Sequence, residues 1–220
     1  MTINFSRIKK SEIVWMANHK CKHSHTFLEH PQCYDTEHGR DQKIGFLDLE
    51  CSNLEADFGI ILCYCIADLH SDEILHKVIT KKELGSCLDK EVTKDCIRSL
   101  KKFNKIITYY GTGFDIPFLR TRAVSQGIDF PEYGELVHND MYYVVRNKFR
   151  LSRNRLDNVC QTLFGETEKT RITAEHWIKA LQGNSPSLAY ILDHCKKDVT
   201  ELKKLYNKII NYRGGSNASI

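Results

Sequence analysis

A chain of 220 residues, 41% apolar and 27% charged, is long enough to bury one substantial core without disulfide staples, and its composition excludes disordered, collagen-like and membrane-embedded classes. Thirty-two basic residues against 28 acidic ones leave a formal charge of +4, a balance common among enzymes of neutral substrates, so overall charge names no partner. No apolar run approaches the ~20 residues of a spanning helix. Arg7, Lys9 and Lys10 give way to Ser11 and Glu12 with no apolar stretch behind them, so no membrane association is expected and the expected location is cytoplasmic. Nine cysteines spread from Cys21 to Cys195 suit free thiols in a reducing compartment better than a secreted disulfide framework.

Residues 1–40 are rich in His, Cys and charge, sustain neither a strand nor a helix period, and read as an irregular arm. Composition changes at Lys43. Lys43–Glu50 and Phe58–Ala67 read as buried strands and Glu73–Thr80 as a third, with short gaps at Gly59 and Asp72 that suit an antiparallel meander. Apolar residues at Leu88, Val92, Cys96, Leu100 and Phe103 predict an amphipathic helix over Cys87–Phe103. Lys105–Tyr110 reads as a fourth strand, and Gly111, Thr112 and Gly113 turn the chain into a helix over Asp115–Gln126. A strand or short helix at Asp140–Val145 follows, then helices at Leu156–Phe164, Ala174–Leu181 and Ser185–Ile210, the last opened by Pro186 and followed by Gly214 and Gly215. The expected organisation is the arm, one domain over residues 41–212, and a disordered tail over residues 213–220.

Residues two apart on a strand share a face, so Asp48 and Glu50 present paired carboxylates whose repulsion calls for a cation. An isolated pair of this kind often does no more than close a strand in water. A third carboxylate, Asp115 in the run YGTGFDIPFL, and a fourth, Asp198 in HCKKDV, change that reading. In order and spacing these four resemble the three motifs of the DnaQ-like, or DEDD, 3′-5′ exonucleases of ribonuclease H fold. The likeness covers Lys43 to about Ile210 and is nearest to the branch shared by family B DNA polymerase proofreading domains and stand-alone exonucleases. It implies an α/β, ribonuclease H-like architecture: a mixed five-stranded sheet, three antiparallel strands followed by parallel ones, flanked by helices. It also implies phosphodiester hydrolysis by two Mg²⁺ or Mn²⁺ ions ~3.5–4 Å apart. Asp48 would bridge both ions, Glu50 and Asp198 would complete one coordination sphere, and Asp115 would hold the second ion through water.

Subclasses of that family place Tyr four residues, or His five residues, before the last Asp. Here His194 stands four before Asp198 and Asp193 five before, a departure from both patterns. Positions i and i+4 of a helix face together, so His194 is the candidate base or water-orienting residue, with Tyr190 one turn earlier as the alternative. Tyr110 occupies a place where the family often has Asn before Gly.

Arg146, Lys148, Arg150, Arg153 and Arg155 surround Phe149 with no acid among them, after Tyr142 and Tyr143. That run reads either as a solvated face or as a track for a phosphate backbone with stacking rings. By the family likeness, Asn53 and Leu54 fall where the terminal nucleotide is contacted, although Leu54 reads equally well as core. Cys21, His23, His25, His30 and Cys33 put five candidate ligands for Zn²⁺ into thirteen residues, in no finger spacing we can name; lining of a nucleic-acid path is the equal alternative. The function expected is metal-dependent 3′-5′ exonuclease action on single-stranded DNA or RNA ends. The alternatives are a catalytically idle nucleic-acid-binding module and a structure-selective endonuclease. Oligomeric state is left open by the sequence.

Overall fold

A computed structural model describes residues 9–30, 33–34, 43–132, 134–168 and 170–212. The central strand is β1 (Ile44–Cys51). β2 (Ile61–Asp68) and β3 (Ile74–Val78) follow it as an antiparallel meander, while β4 (Lys105–Thr108) and β5 (Val137–Asp140) add in parallel on the other side. The order β3-β2-β1-β4-β5 is the mixed five-stranded sheet expected from the sequence. Helices α1 (Lys10–Asn18), α2 (Lys81–Leu84), α3 (Lys90–Leu100), α4 (Asp115–Ser125), α5 (Met141–Lys148), α6 (Leu156–Phe164), α7 (Ala174–Leu181) and α8 (Ser185–Ile209) flank or precede it.

Strand alternation sorts β2 into two layers, and every residue from Ile61 to Ala67 is buried, so both faces of the sheet are covered here. Tyr64 points to α3, donating its hydroxyl to Asp95 and lying 2.9 Å from Ser99 Oγ. Cys63 and Cys65 point the other way and meet the thiol of Cys195 on α8. The long helix is fixed there by Leu188, Ile191, Cys195, Val199, Leu202 and Leu205, a buried stripe at three- and four-residue spacing. At about 1.5–3 kcal/mol for each fully buried side chain of that size, the stripe holds the register of whatever polar residues lie beside it. Asp89, fully buried ahead of α3, takes a two-point contact from Arg122 of α4 at 2.9 and 2.7 Å and the N–H of Ile61 at 2.9 Å, which ties α4 to the sheet.

Several expected boundaries move. Phe58 is 81% exposed and β2 starts only at Ile61, because Gly59 N–H bonds back to Glu55 C=O at 2.8 Å and holds a helical turn outside the ladder. Leu88, expected on the apolar face of α3, sits before its start at φ 52° and is 47% exposed. The Asp140–Val145 segment resolves into both readings: β5 ends at Asp140, whose carboxylate accepts from Tyr142 N–H at 3.0 Å and caps α5. The arm is not wholly irregular, since α1 occupies nine of its residues. Only Met16 of α1 is buried, so the helix leaves no apolar stripe for a periodicity reading to find. The tail expectation and much of the arm lie outside the described residues. No helix among those described is long and apolar enough to cross a membrane.

Candidate active site and nucleic-acid cleft

Asp48 and Glu50 stand opposite Cys65 and Cys63 in the β1–β2 ladder, and cross-strand partners share a face. Both carboxylates therefore leave β1 on the α8 side. The register slips immediately after Glu50, where Cys51 pairs with Ile61, and such a bulge bends the strand locally. From α8, His194 Nε2 approaches to 3.6 Å from Glu50 Oε1 and 3.7 Å from Asp198 Oδ2. One donor atom from each of these three residues lies within 4.8 Å of the others. His194 Nδ1 is 2.7 Å from Thr170 Oγ1, which orients the ring and turns Nε2 toward the carboxylates. Asp48 is attached to the same helix through its backbone, whose carbonyl accepts from Cys195 Sγ at 3.4 Å.

Asp115 comes from the opposite layer. Its Oδ1 accepts the N–H of Leu49, the residue between the two β1 carboxylates, at 3.0 Å, and the residue is 4% exposed. Burial pushes this carboxyl up to about 7, with the charges of Asp140 and Asp198 adding to it and the N–H groups of Leu49 and Asp115 opposing it.

The turn that delivers Asp115 is built by Asp140. Its Oδ1 accepts Tyr110 N–H at 2.7 Å and its Oδ2 accepts Thr112 N–H at 2.9 Å. Tyr110 has φ 67°, a left-handed conformation that Asn tolerates better than Tyr, which gives a physical reason for the family's frequent Asn here. Gly111 is required by space, because a Cβ there would lie 2.4 Å from Thr108 Oγ1.

Carboxylate oxygens are hard donors of the kind Mg²⁺ and Mn²⁺ take, and an imidazole is acceptable to Mn²⁺. Donor atoms of Glu50, His194 and Asp198 already converge within 4.8 Å, so the residues present fit a divalent ion. Burial of the Asp115 carboxyl has a measurable cost once it ionises. Between the ordinary carboxylate value and about 7, the folded state retains a proton that the unfolded chain has released, so stability falls as pH rises through this window. Asp115→Asn keeps the acceptor for Leu49 N–H and removes the charge. In EDTA above neutrality it raises Tm by at least about 2 °C, and the gain vanishes near pH ~4; thermal melts across that range check it.

Beside the carboxylates an open cleft of about 810 Å³ is lined by Glu50, His194, Thr170, Arg153, Arg155, Arg171 and Trp177 among others. Of the five basic residues expected to track phosphates, the structure brings Arg153 and Arg155 to the cleft. Arg146 and Lys148 lie on α5 and Arg150 in the loop after it, none of them among the cleft-lining residues. Leu54 is 78% exposed in the turn after β1, not core, and Asn53 beside it uses Oδ1 to accept Glu55 N–H at 3.1 Å. Tyr190 is engaged elsewhere, its hydroxyl donating to Arg171 C=O at 3.2 Å and its ring stacked on His176. Sequence reasoning missed Thr170, Arg171 and Asp140. Only Asp140 carried a local signal, an Asp placed to cap a helix.

The family profile described as the RNase_H superfamily matches residues 45–210. Among curated proteins, the chain is 30% identical over 172 residues to a DNA polymerase of Methanocaldococcus jannaschii, covering 64% of this chain and 10% of that one. It is 27% identical over 127 residues to a DNA polymerase of Pyrococcus glycovorans, covering 46% and 16%. Among solved structures, the family B DNA polymerase of Pyrobaculum calidifontis superposes with a TM-score of 0.64 at 16% identity, over 77% of this chain and 24% of that one. The chain thus spans a quarter or less of each of these polymerases, and the last of the three likenesses is one of fold. With the profile running from β1 to the end of α8, the chain belongs to the RNase_H superfamily and carries its ribonuclease H-like fold.

Proposed function

We propose that the protein is a nuclease that removes nucleotides from the 3′ ends of single-stranded DNA or RNA, using two Mg²⁺ or Mn²⁺ ions. The observation that carries this reading is the convergence of Glu50, His194 and Asp198 at the end of β1, on the strand face that also bears Asp48, at the edge of an arginine-lined cleft. Membership of the RNase_H superfamily and likeness to archaeal DNA polymerases support the nuclease class.

Asp48, Glu50, Asp115 and Asp198 would hold the cations, which when bound supply Lewis acidity to the phosphoryl group and to the leaving 3′ oxygen. The chain's own groups do the rest. Thr170 fixes the His194 ring, and with Nδ1–H donated to Thr170 Oγ1 the Nε2 lone pair faces the site, where it takes the proton of the attacking water. Arg153, Arg155 and Arg171 hold the anionic strand in the cleft, and Trp177 offers a ring for a base. Asp140 keeps Asp115 in place by holding the turn before it.

The test is a time course on end-labelled single-stranded DNA and RNA with Mg²⁺, Mn²⁺ or EDTA. Stepwise shortening from the 3′ end in metal is expected; internal cuts would make the protein an endonuclease, and retained binding without cleavage an idle module. A second measurement checks the cleft. Arg153→Glu combined with Arg171→Glu should weaken single-strand binding about tenfold or more and reduce the slope of log K against log salt by about 1.4, the value for two lost phosphate contacts. An unchanged slope would remove both arginines from the strand path.

A further inference from the structure

We propose that Cys21, His23, His30 and Cys33 form a structural zinc site that folds the N-terminal segment, independently of the cations at the carboxylate site. Of the five residues that the sequence offered, these four bring one donor atom each within 4.8 Å of all the others, and His25 stays outside. The four sulfur-to-nitrogen edges are Cys21–His23 at 3.8 Å, Cys21–His30 at 3.8 Å, His23–Cys33 at 3.1 Å and His30–Cys33 at 3.4 Å, with Nδ1 as the nitrogen in each. Zinc with Zn–S of about 2.3 Å and Zn–N of about 2.0–2.1 Å at tetrahedral angles places sulfur and nitrogen about 3.6 Å apart. The measured edges scatter around that value. Two thiolates and two imidazoles are the soft and borderline donors that select zinc over Mg²⁺ or Mn²⁺, so the two metal sites differ in chemistry as well as in place.

The local backbone is shaped for such a site. A hairpin around the Lys20–Thr26 bridge returns Cys21 N–H to His25 C=O at 2.8 Å and Ser24 N–H to Cys21 C=O at 2.9 Å, and Ser24 has φ 67°. A left-handed non-glycine residue persists where its surroundings over-determine it, and ligands on both sides of the turn do so. Both cysteines are buried, at 5% and 6% exposure.

Energetics supply the need. Apart from the main core, the described residues of the segment form a small cluster of Met16, Cys21, Phe27, Cys33 and Tyr34, with Leu28 packed on it. A core of that size does not order a segment by itself, and metal binding is then folding free energy. The segment attaches at Phe103 and Gly134, through Lys9 Nζ to Phe103 C=O at 2.5 Å and Lys10 N–H to Gly134 C=O at 2.7 Å. Both acceptors precede the N-terminal ends of β4 and β5, whereas the carboxylates lie at the C-terminal end of β1 and beyond β4. A metal here braces the N-terminal segment and takes no part in hydrolysis.

Full-length protein made in zinc-containing medium and purified under reducing conditions should carry about one zinc per chain by plasma mass spectrometry, retained after EDTA treatment that strips Mg²⁺. Exchange with Co²⁺ should give the visible bands of a tetrahedral two-thiolate site. Cys33→Ser should reduce zinc content to less than about a tenth, while His25→Ala and Asp48→Ala keep it. If Cys33→Ser fails to fold, release of zinc from the parent on capping its thiols with a mercurial decides instead. A zinc-free parent with no Co²⁺ spectrum, or a Cys21–Cys33 disulfide under reducing purification, would overturn the proposal.

Discussion

Asp48→Ala abolishes hydrolysis, by at least about 10³-fold, and leaves the fold in place. The backbone of residue 48 carries the structural work: its ladder position opposite Cys65 and its carbonyl accepting from Cys195 Sγ both survive loss of the side chain. The carboxylate is half-buried on the β1 face shared with Glu50 and adds negative charge beside it. Removing it leaves stability in EDTA unchanged or raised, which separates a ligand from a structural residue. Circular dichroism, thermal melts in EDTA and single-turnover cleavage in excess Mn²⁺ together read the result. Cleavage within a few-fold of the parent would withdraw Asp48 from the site and with it the proposed assignment of the motifs.

The readable parts of the fold are those where period and burial coincide. α8 alternates apolar and polar residues over many turns, so its limits, its buried face and the pairing of His194 with Asp198 are all present in the sequence. β2, buried on both faces, reads as a continuous apolar run, yet the same rule extends it falsely to Phe58 because an apolar residue in a turn looks like one in a strand. Glu50 and Asp48 are legible by their two-residue spacing. Thr170 and Arg171 are not, since they lie in the segment between α6 and α7 and reach the cleft only because the chain folds back over α8. The basic run shows the converse: composition groups five cations, and the chain path sends Arg153 and Arg155 into the cleft while helix α5 carries Arg146 and Lys148 elsewhere. The zinc ligands fall between these cases. Their residue types are visible, but choosing four of five needs the folded hairpin, in which His25 packs edge-on against His30 with its donor atoms outside the cluster.

His194→Ala lowers the cleavage rate by roughly 10²- to 10⁴-fold, the scale of a positioned acid–base group, while Mn²⁺ binding survives through the carboxylates. The expectation rests on geometry: Nε2 stands 3.6 and 3.7 Å from Glu50 and Asp198, close enough to share a bound water, and Nδ1 is held by Thr170. His194→Tyr recovers part of the loss, because a hydroxyl four residues before Asp198 is aimed by the same helical register. Thr170→Val, which takes the hydroxyl from Nδ1, should lower kcat with little change in KM, since it disorients the ring without touching the arginines that hold the strand. Tyr190→Phe should be nearly silent in the chemical step, as its hydroxyl serves the Arg171 carbonyl and not the carboxylates. Single-turnover rates for the four variants, each with Mn²⁺ binding followed by thermal shift, decide between the two registers. A silent alanine at 194 beside a severe Tyr190→Phe would move the base one turn toward the start of α8, and the catalytic reading of the His194–Asp198 pair would fail with it.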